Sequence, residues 1–473
     1  MGSPSEESFT EIYRRYFSPD EDAAEEEAVT SACTFVLQTF AHIRPPPPPR
    51  PILRRTYILR DREAANERLM KDYFDAAPVH GPNVFRRRFR MSQRLFLRIN
   101  NDLENTYDFF KQRMDARGYL GFTSIQKVTS ALRVLAYGNT YDINDEYLKM
   151  AEKTTRDTLE HFCYGICQLY GKRYLRNPTW NDLQKIYEVH LEKHGIPGMI
   201  GSLDCRQWRW YNCPTAWRGQ HTRGDQKGPT LVLQGVASYD LWVWSAFFGV
   251  AGCFNDINTL EASPLIEGYI SGTIPKAGFH ANGNDYEHGY YLGDGIYPEY
   301  SIIVKTFSET FDEKRKYFKK LQESSRKDIE RCFGVLQQRW HFIRNPCRMW
   351  HKDKIRMAMY ACIILHNMII EDDGKAICQN YIPEDLVELP QATTEERLAN
   401  AQLLRSREIH NTLKADLVEH AWAIRPIRSN NDHDEDSEEE VGEEFEDGNF
   451  EDVGLDAGEN EEEEGENEDD TEE

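Results

Sequence analysis

Hydrophobic residues recur every three or four positions through much of the first half of the chain. This spacing runs over residues 85–170 and again over residues 177–194, where Gly195 and Pro197 end it. A repeat of about 3.6 residues places apolar side chains on one face of a helix, so both stretches are predicted to be helical. The first half of the chain is therefore expected to form an all-helical region.

The Gly138-Asn139 pair interrupts this helical pattern. A short helix is predicted near residues 145–151, and a longer helix follows from Thr154 to about Tyr170. A short helix, a tight turn and a longer helix are typical of the helix-turn-helix, which reads DNA in the major groove. A plain helical bundle that supports the next domain has the same pattern, and the sequence leaves both alternatives open.

After residue 195 the pattern changes to short apolar runs of strand length. Residues 198–203, 230–238, 241–250 and 290–293 are predicted strands, and helical spacing returns at 258–269, 311–342 and 352–371. The run 230–238 is almost continuously apolar, which is typical of a strand buried on both faces. Three strands, a crossover helix, a fourth strand and further helices predict an α/β domain.

Composition divides the chain further. Five consecutive prolines at 45–49 form a stiff linker, so residues 1–60 are predicted to be a disordered, proline-rich region apart from a short helix near 29–40. Residues 429–473 contain 25 Asp or Glu and no Lys or Arg, which predicts a disordered acidic tail. Between these ends we expect a helical domain at 61–195, an α/β domain at 196–390 and a helical extension at 391–428.

The formal net charge is -23, but the middle of the chain is basic. Without the tail and the first thirty residues, the chain has 46 acidic and 55 basic residues. A body with this balance could approach nucleic acid. Basic clusters at 50–55 and 86–90 could serve nuclear import or phosphate contact.

The ten cysteines include no Cys-x-x-Cys pair, so a structural zinc site has little support. Cys163 and Cys167 have helical spacing and are predicted to pack in a core. No signal peptide opens the chain, and no apolar run approaches the length of a membrane span. We therefore expect an intracellular protein with reduced thiols and no membrane partner.

Three acidic residues lie at the ends of predicted strands or at the border of the apolar face of a predicted helix. Asp204 ends the first predicted strand, Asp294 ends the fourth, and Glu330 lies in the long helix with thirty-five residues between it and Asp294. Two Mg²⁺-type ions held by about three converging carboxylates can promote an in-line displacement at phosphorus. The arrangement predicts a two-metal phosphoryl-transfer site.

Each acid also has an ordinary explanation. Asp204 and Asp294 could simply end strands, where Asp suits turns, and Glu330 could be a solvated helix residue beside Arg326 and Lys327. Glu330 falls at the border of the apolar stripe of its helix, however, and a border acid can reach into a cleft. Asn255 and Asp256 form another polar pair, which either shapes the site or caps the next helix.

Cations and aromatic rings alternate after the first acid. The cations that we predict to contact DNA are Arg206, Arg209, Arg218 and Arg223, and they are interleaved with Trp208, Trp210, Tyr211 and Trp217. Cations meet phosphates and rings stack on bases, so this stretch suits a nucleic-acid channel, with an edge hairpin as the alternative. We expect Trp208 in the core and Trp217 on the DNA, because Pro214 and Gly219 predict a loop there.

Seven ordered motifs resemble those of plant PIF/Harbinger transposases and their host-derived relatives. They are Gly-Ser-Leu-Asp-Cys at 201–205, Asn-Cys-Pro-Thr-Ala-Trp at 212–217, Val-Ala-Ser-Tyr-Asp-Leu-Trp at 236–242, Asn-Asp-Ile-Asn at 255–258, Asp-Gly-Ile-Tyr-Pro at 294–298, Arg-Lys-Asp-Ile-Glu-Arg-Cys-Phe-Gly-Val-Leu-Gln at 326–337 and Ile-Leu-His-Asn-Met-Ile-Ile-Glu at 364–371. The resemblance extends forward to about Asp72 and covers roughly two-thirds of the chain. Gly293 stands where the family pattern suggests Ala, and Cys253-Phe254 stands where small polar residues are expected.

This resemblance implies a ribonuclease H-like catalytic domain whose acidic triad maps onto Asp204, Asp294 and Glu330. It also implies Mg²⁺ or Mn²⁺ as cofactor, DNA as substrate, and a separate Myb-like protein for targeting and entry into the nucleus. We therefore expect a metal-dependent DNA endonuclease or strand transferase in the nucleus. The alternative is a domesticated, catalytically silent DNA- or protein-binding factor, and the sequence leaves the oligomeric state open.

Overall fold

Helices dominate the chain before residue 195 in the computed structural model, which describes residues 19–43, 58–308, 311–379 and 390–425. They are α1 (Pro19–Ile43), α2 (Arg62–Tyr73), α3 (Pro82–Phe89), α4 (Gln93–Thr106), α5 (Ser124–Tyr137), α6 (Ile143–Leu148), α7 (Glu152–Tyr174) and α8 (Trp180–His194). Helix α1 is longer than the helix predicted near 29–40. The proline run at 45–49 and the acidic tail at 429–473 lie outside the described residues.

Local signals set several of these helix ends. Thr123 and Gln126 form a capping box at the start of α5, and Thr179 and Asp182 form another at the start of α8. In each box the Thr side chain accepts a backbone N–H, which satisfies a donor that the first helical turn leaves without a partner. Gly138 ends α5 with a φ of 63°. Such left-handed backbone favours glycine, so the sequence break at this residue becomes a helix end.

Helix α7 does not stand apart from the rest of the chain. It packs along α14 (Lys352–Asp372), where Arg173 and Tyr174 both contact the Glu371 carboxylate. A single hydrophobic cluster extends from Leu69 in α2 to Ile370 in α14. This contact is what the bundle alternative requires, since it makes α7 a support for the next part of the fold.

The strands form one mixed five-stranded sheet. They are β1 (Met199–Arg209), β2 (Thr230–Ala237), β3 (Val243–Ala251), β6 (Tyr290–Gly293) and β7 (Ile303–Lys305), in the spatial order β3-β2-β1-β6-β7. β1, β2 and β3 are antiparallel, whereas β6 and β7 run parallel to β1. The four predicted strands are present. β7 and the separate hairpin of β4 (Phe279–Ala281) and β5 (Asn284–Tyr286) were not predicted.

Strand β1 is longer than its apolar run. The sequence predicts an end near Leu203, but pairing with β2 continues to Arg209, which lies opposite Thr230. Pairing stabilises this extension although its side chains alternate between polar and aromatic. Asp204 therefore lies inside a strand and not at its end.

Several of the remaining helices pack on the sheet, and helices form the last described part of the chain. A 3-10 turn (Thr215–Trp217) and the short α9 (Arg218–His221) link β1 to β2, and α10 (Asp256–Glu261) and α11 (Pro264–Ile270) follow β3. The helices after β7 are α12 (Glu313–Arg339), α13 (His341–Arg344), α14, α15 (Thr394–Leu404) and α16 (Arg407–Ile424). Helix α12 packs across β1 and β2. Gly235 permits this approach, because a Cβ there would lie 3.0 Å from the Phe333 ring.

The described part of the chain contains no helix long and apolar enough to span a bilayer. Its architecture is thus a helical region packed against a mixed α/β unit, which agrees with the predicted α/β class.

Candidate active site

Two of the predicted acids lie side by side in the sheet. Strand β6 pairs in parallel with β1, and Ser202 lies opposite Leu292. Asp204 and Asp294 each follow two residues later, so the register carries both carboxylates to the same region of neighbouring strands. The Asp204 side chain is 22% exposed, and its Oδ1 accepts the Cys205 N–H at 2.8 Å.

A third carboxylate, Asp256, joins them from the first turn of α10. Burial raises the pKa of Asp204 to about 6, and the charges of Asp256 and Asp294 act in the same direction. Burial also raises the pKa of Asp256, with Asp294 again contributing. The three carboxylates are therefore close enough to repel one another. Sequence reasoning noted Asp256 only as part of a polar pair, since its spacing from the other acids carries no signal.

Glu330 approaches from helix α12, with 48% of its side chain exposed. Arg326, one helical turn earlier, connects it to the strands. One guanidinium nitrogen lies 2.9 Å from Glu330 Oε1, and another lies 3.9 Å from Asp204 Oδ2. The structure thus brings Asp204 and Asp294 together directly and relates Glu330 to Asp204 through a shared arginine.

Within the residues described, no three Asp, Glu, His or Cys side chains are grouped closely enough to hold a metal ion. The donor set still fits Mg²⁺ or Mn²⁺ chemically, because carboxylate oxygens are the ligands that these hard cations prefer. A cation among Asp204, Asp256 and Asp294 would also relieve the repulsion that raises the pKa of Asp204. In the present arrangement, Arg326 supplies the positive charge beside Asp204 and Glu330.

Cys205 and Tyr297 form a wall beside the acids. The Tyr297 hydroxyl donates to Cys205 Sγ at 3.6 Å. Burial raises the pKa of the Cys205 thiol and of the Tyr297 phenol, so both groups stay neutral near pH 7. Both groups therefore border the carboxylates without adding charge.

Gly293 explains one departure from the family pattern. A Cβ at this position would lie 2.8 Å from the Tyr297 ring and 3.2 Å from Ile303 Cγ2. Because such contacts force a buried ring to move, we expect Gly293→Ala to lower the free energy of unfolding by about 1–3 kcal/mol. Urea denaturation of the two proteins measures this change. Gly295→Ala is the control, since its Cβ would meet no atom within 4 Å, and equal losses in both variants would contradict the explanation.

The predicted DNA-contacting cations occupy different environments. Arg206, Arg209 and Arg218 are exposed, and Arg206 shares a face of β1 with Asp204 because it lies two positions further along. Arg223 is half-buried and lies 3.0 Å from Asp225. Arg206 can therefore meet a phosphate beside Asp204, whereas Arg209, five positions from Asp204, lies on the other face of β1. Arg223 is partly committed to Asp225, but its charge also reaches Asp256, whose pKa it acts to lower.

Trp217 is buried, with 7% of its surface exposed, which differs from the exposed loop position that the sequence suggests. It follows Pro214 in the 3-10 turn, and its ring packs against Trp210, which is itself fully buried. Trp208 is in the core as predicted. The exposed ring in this stretch is Tyr211, with 62% of its surface accessible. Four aromatic residues close together in sequence cannot by themselves indicate which ring reaches solvent.

Part of this chain is similar to known proteins. The family described as plant transposon protein matches residues 172–377, and a domain of unknown function matches residues 66–104. Protein ALP1-like from Arabidopsis thaliana is 20% identical over 261 residues, which cover 53% of this chain and 62% of that protein. No solved structure gave a significant match. The matched segment contains Asp204, Asp294 and Glu330, and the match confirms the resemblance that the motifs indicated.

Proposed function

We propose that this protein is a metal-dependent DNA nuclease or strand transferase with a ribonuclease H-like catalytic fold. The observation that carries the proposal is the register of β1 and β6, which sets Asp204 beside Asp294 while Arg326 ties Glu330 to the same place. Three antiparallel strands followed by two parallel strands, with a helix across them, support the ribonuclease H-like assignment.

In this proposal Asp204, Asp294 and Glu330 hold Mg²⁺ or Mn²⁺. When bound, two such ions activate an attacking oxygen and stabilise the leaving oxygen at phosphorus. The chain's own residues position the substrate. Exposed Arg206 would bind a phosphate on the face of β1 that carries Asp204.

The test uses the full chain with supercoiled plasmid DNA in Mg²⁺, in Mn²⁺ and in EDTA. We expect nicked or linear DNA only with a divalent ion. Mn²⁺ titration followed by electron paramagnetic resonance gives a second readout that does not need a targeting partner. Absence of both cleavage and Mn²⁺ binding would contradict the proposal.

One observation favours the second candidate, a catalytically silent DNA- or protein-binding factor. Arg326 contacts both Asp204 and Glu330, so a positive charge already stands where an ion would bind. A silent protein would bind Mn²⁺ only after Arg326→Gln removes that charge. A nuclease would bind Mn²⁺ with Arg326 in place, because the flexible guanidinium moves aside for a divalent ion.

DNA is the proposed partner of the nuclease, and nuclear location belongs to the same proposal; the silent factor would bind DNA or another protein. A Myb-like targeting protein belongs to the same proposal, as does assembly into oligomers. Co-purification of the full chain with a candidate Myb-like partner, with and without specific DNA, checks this part separately.

The exposed arginines lead to a prediction about salt. We expect Arg206→Gln combined with Arg218→Gln to reduce the log-log slope of DNA affinity against salt by roughly two, because each lost phosphate contact removes about 0.9. Fluorescence anisotropy with duplex DNA from low to moderate salt measures the slope.

A control of equal charge change is Lys314→Gln combined with Lys316→Gln. These lysines lie at the start of α12, about 20 Å from Glu330 along the helix. An equal decrease in slope for the control pair would mean that DNA does not pass near the acids.

A further inference from the structure

A cleft of about 460 Å³ opens in the helical region, far along the chain from the carboxylates. It lies where α2, α3, α5 and α6 meet, and its lining residues are Asp72, Tyr73, His80, Arg88, Arg133, Tyr137, Asn139, Ile143 and Tyr147. We infer that this cleft binds a phosphate group carried by a small aromatic ligand such as a nucleotide. The inference concerns a site separate from the proposed nuclease chemistry.

Three arginine side chains lie near the Tyr137 phenol in this cleft. Arg88 and Arg133 line it, and the charges of Arg133, Arg90 and Arg88 all act to lower the pKa of Tyr137, although burial raises that pKa overall. The Arg90 guanidinium lies over the Tyr137 ring at 5.9 Å. Three guanidinium groups around one neutral hydroxyl form a surface that attracts an anion.

Internal contacts account for only part of this cationic group. Arg88 donates to the Tyr73 hydroxyl. Arg133 lies over the Tyr147 ring at 5.1 Å, but its buried Nε has no hydrogen-bond partner among the described residues. A buried donor without a partner is costly, and a ligand oxygen would satisfy it.

The cleft also contains one carboxylate, Asp72. Its Oδ2 accepts the Tyr147 hydroxyl at 2.5 Å, and burial together with Asp72 raises the pKa of that phenol. Tyr147 therefore stays protonated and holds Asp72. Two lining guanidinium groups against one carboxylate leave a net positive charge.

The side chains and the volume of the cleft indicate the class of ligand. Planar guanidinium groups match phosphate oxygens, and Tyr137 and Asn139 offer further donors. His80 is half-buried and provides a ring against which a base can stack, whereas arginine side chains already lie over the Tyr73 and Tyr147 rings. A volume of about 460 Å³ lies within the range of small-ligand sites and exceeds what a lone phosphate fills.

The experiment is isothermal titration of the full chain, without divalent metal, with AMP, adenosine, inorganic phosphate and a short duplex DNA without terminal phosphates. We expect AMP to bind saturably and adenosine to bind at least about tenfold more weakly, because a charged hydrogen bond is lost. Displacement of AMP by the duplex would assign the phosphate to a DNA backbone, and no displacement would assign it to a free nucleotide.

Arg133→Gln and Arg88→Gln should each weaken AMP binding by about tenfold or more. Arg87→Gln is the matched control, since Arg87 is an exposed member of the same basic run and does not line the cleft. Tyr137→Phe keeps the ring packing and removes only the hydroxyl, so it tests the site if an arginine variant does not fold. Equal affinities for AMP and adenosine, or an equal loss in Arg87→Gln, would overturn the inference. Asp204→Asn should leave AMP binding unchanged, which separates this site from the proposed nuclease.

Discussion

Asp204→Asn is expected to reduce divalent-metal-dependent DNA cleavage by about 1000-fold or more, while the fold is kept. The amide loses one anionic oxygen that a hard cation needs, and losing one electrostatic contact to a developing charge alone costs about 100–1000-fold. The remaining amide oxygen can still accept the Cys205 N–H that Asp204 Oδ1 accepts at 2.8 Å. The local strand geometry is therefore preserved.

The same substitution has an expected effect on stability without metal. Because burial raises the pKa of Asp204 to about 6, its ionised form is disfavoured in the folded protein at pH 7. A neutral Asn removes that cost, so the metal-free variant should melt no earlier than the wild type. Wild-type protein should melt later in Mn²⁺, and the variant should gain much less.

Plasmid nicking and thermal melts with and without Mn²⁺ measure both effects. Asp285→Asn is the control, because the Asp285 side chain is 92% exposed on the β4–β5 hairpin. Full cleavage by Asp204→Asn would remove this residue from the site. A large loss of melting temperature in metal-free buffer would instead show that Asp204 acts mainly in folding.

A second large effect is expected in acid, because two histidines are buried in their neutral form. In His190, Nδ1–H donates to the Met199 carbonyl at 2.8 Å and Nε2 accepts the Tyr239 N–H at 3.0 Å. Both ring nitrogens are used, so a second proton would face a donor. Burial lowers the pKa of His190 to about 4 from the ordinary 6.5.

His366 in helix α14 is held in the opposite tautomer. Its Nε2–H donates to the Leu241 carbonyl at 2.9 Å, and Nδ1 accepts from the Arg339 guanidinium at 2.7 Å. Burial, with the nearby charge of Arg339, lowers the pKa of His366 to about 3. This contact also fixes the turn before β3, where Leu241 has a φ of 63°.

These lowered pKa values make the fold sensitive to acid. Below pH 6.5 the unfolded chain binds a proton at each histidine and the folded chain does not. The free energy of unfolding therefore decreases as the pH falls toward 4 for His190 and toward 3 for His366. Each histidine should contribute a loss of about 3 kcal/mol between pH 7 and pH 4. The raised pKa of Asp204 acts in the opposite direction and offsets part of this loss in the whole protein.

Urea denaturation at several pH values between 7 and 4 checks the prediction. His366→Gln should flatten the dependence of the unfolding free energy on pH by about 1.4 kcal/mol per pH unit, which corresponds to one proton. His280→Gln is the control, because the His280 side chain is 64% exposed. An unchanged slope for His366→Gln would mean that this ring binds a proton in the folded state.

The sequence by itself determined most of the longer helices and strands. Apolar spacing predicted the helical character of residues 85–170 and 177–194 and the four main strands, since periods of 3.6 and 2 follow from backbone geometry alone. Gly195 marked the end of α8 for the same local reason. The ordered motifs indicated the family and the three acids, although the short β7 carries too few residues for its own pattern.

Only the tertiary structure decided what surrounds each acid. Asp256 joins Asp204 and Asp294 because α10, which begins at Asp256, packs against β2, the neighbour of β1 in the sheet, a relation that no sequence spacing encodes. The pairing of Arg326 with Asp204, and the burial of Trp217 against Trp210, likewise depend on segments brought together by packing. Local preferences act over a few residues, whereas charge, burial and pKa depend on neighbours far along the chain, which are known only once the chain has folded.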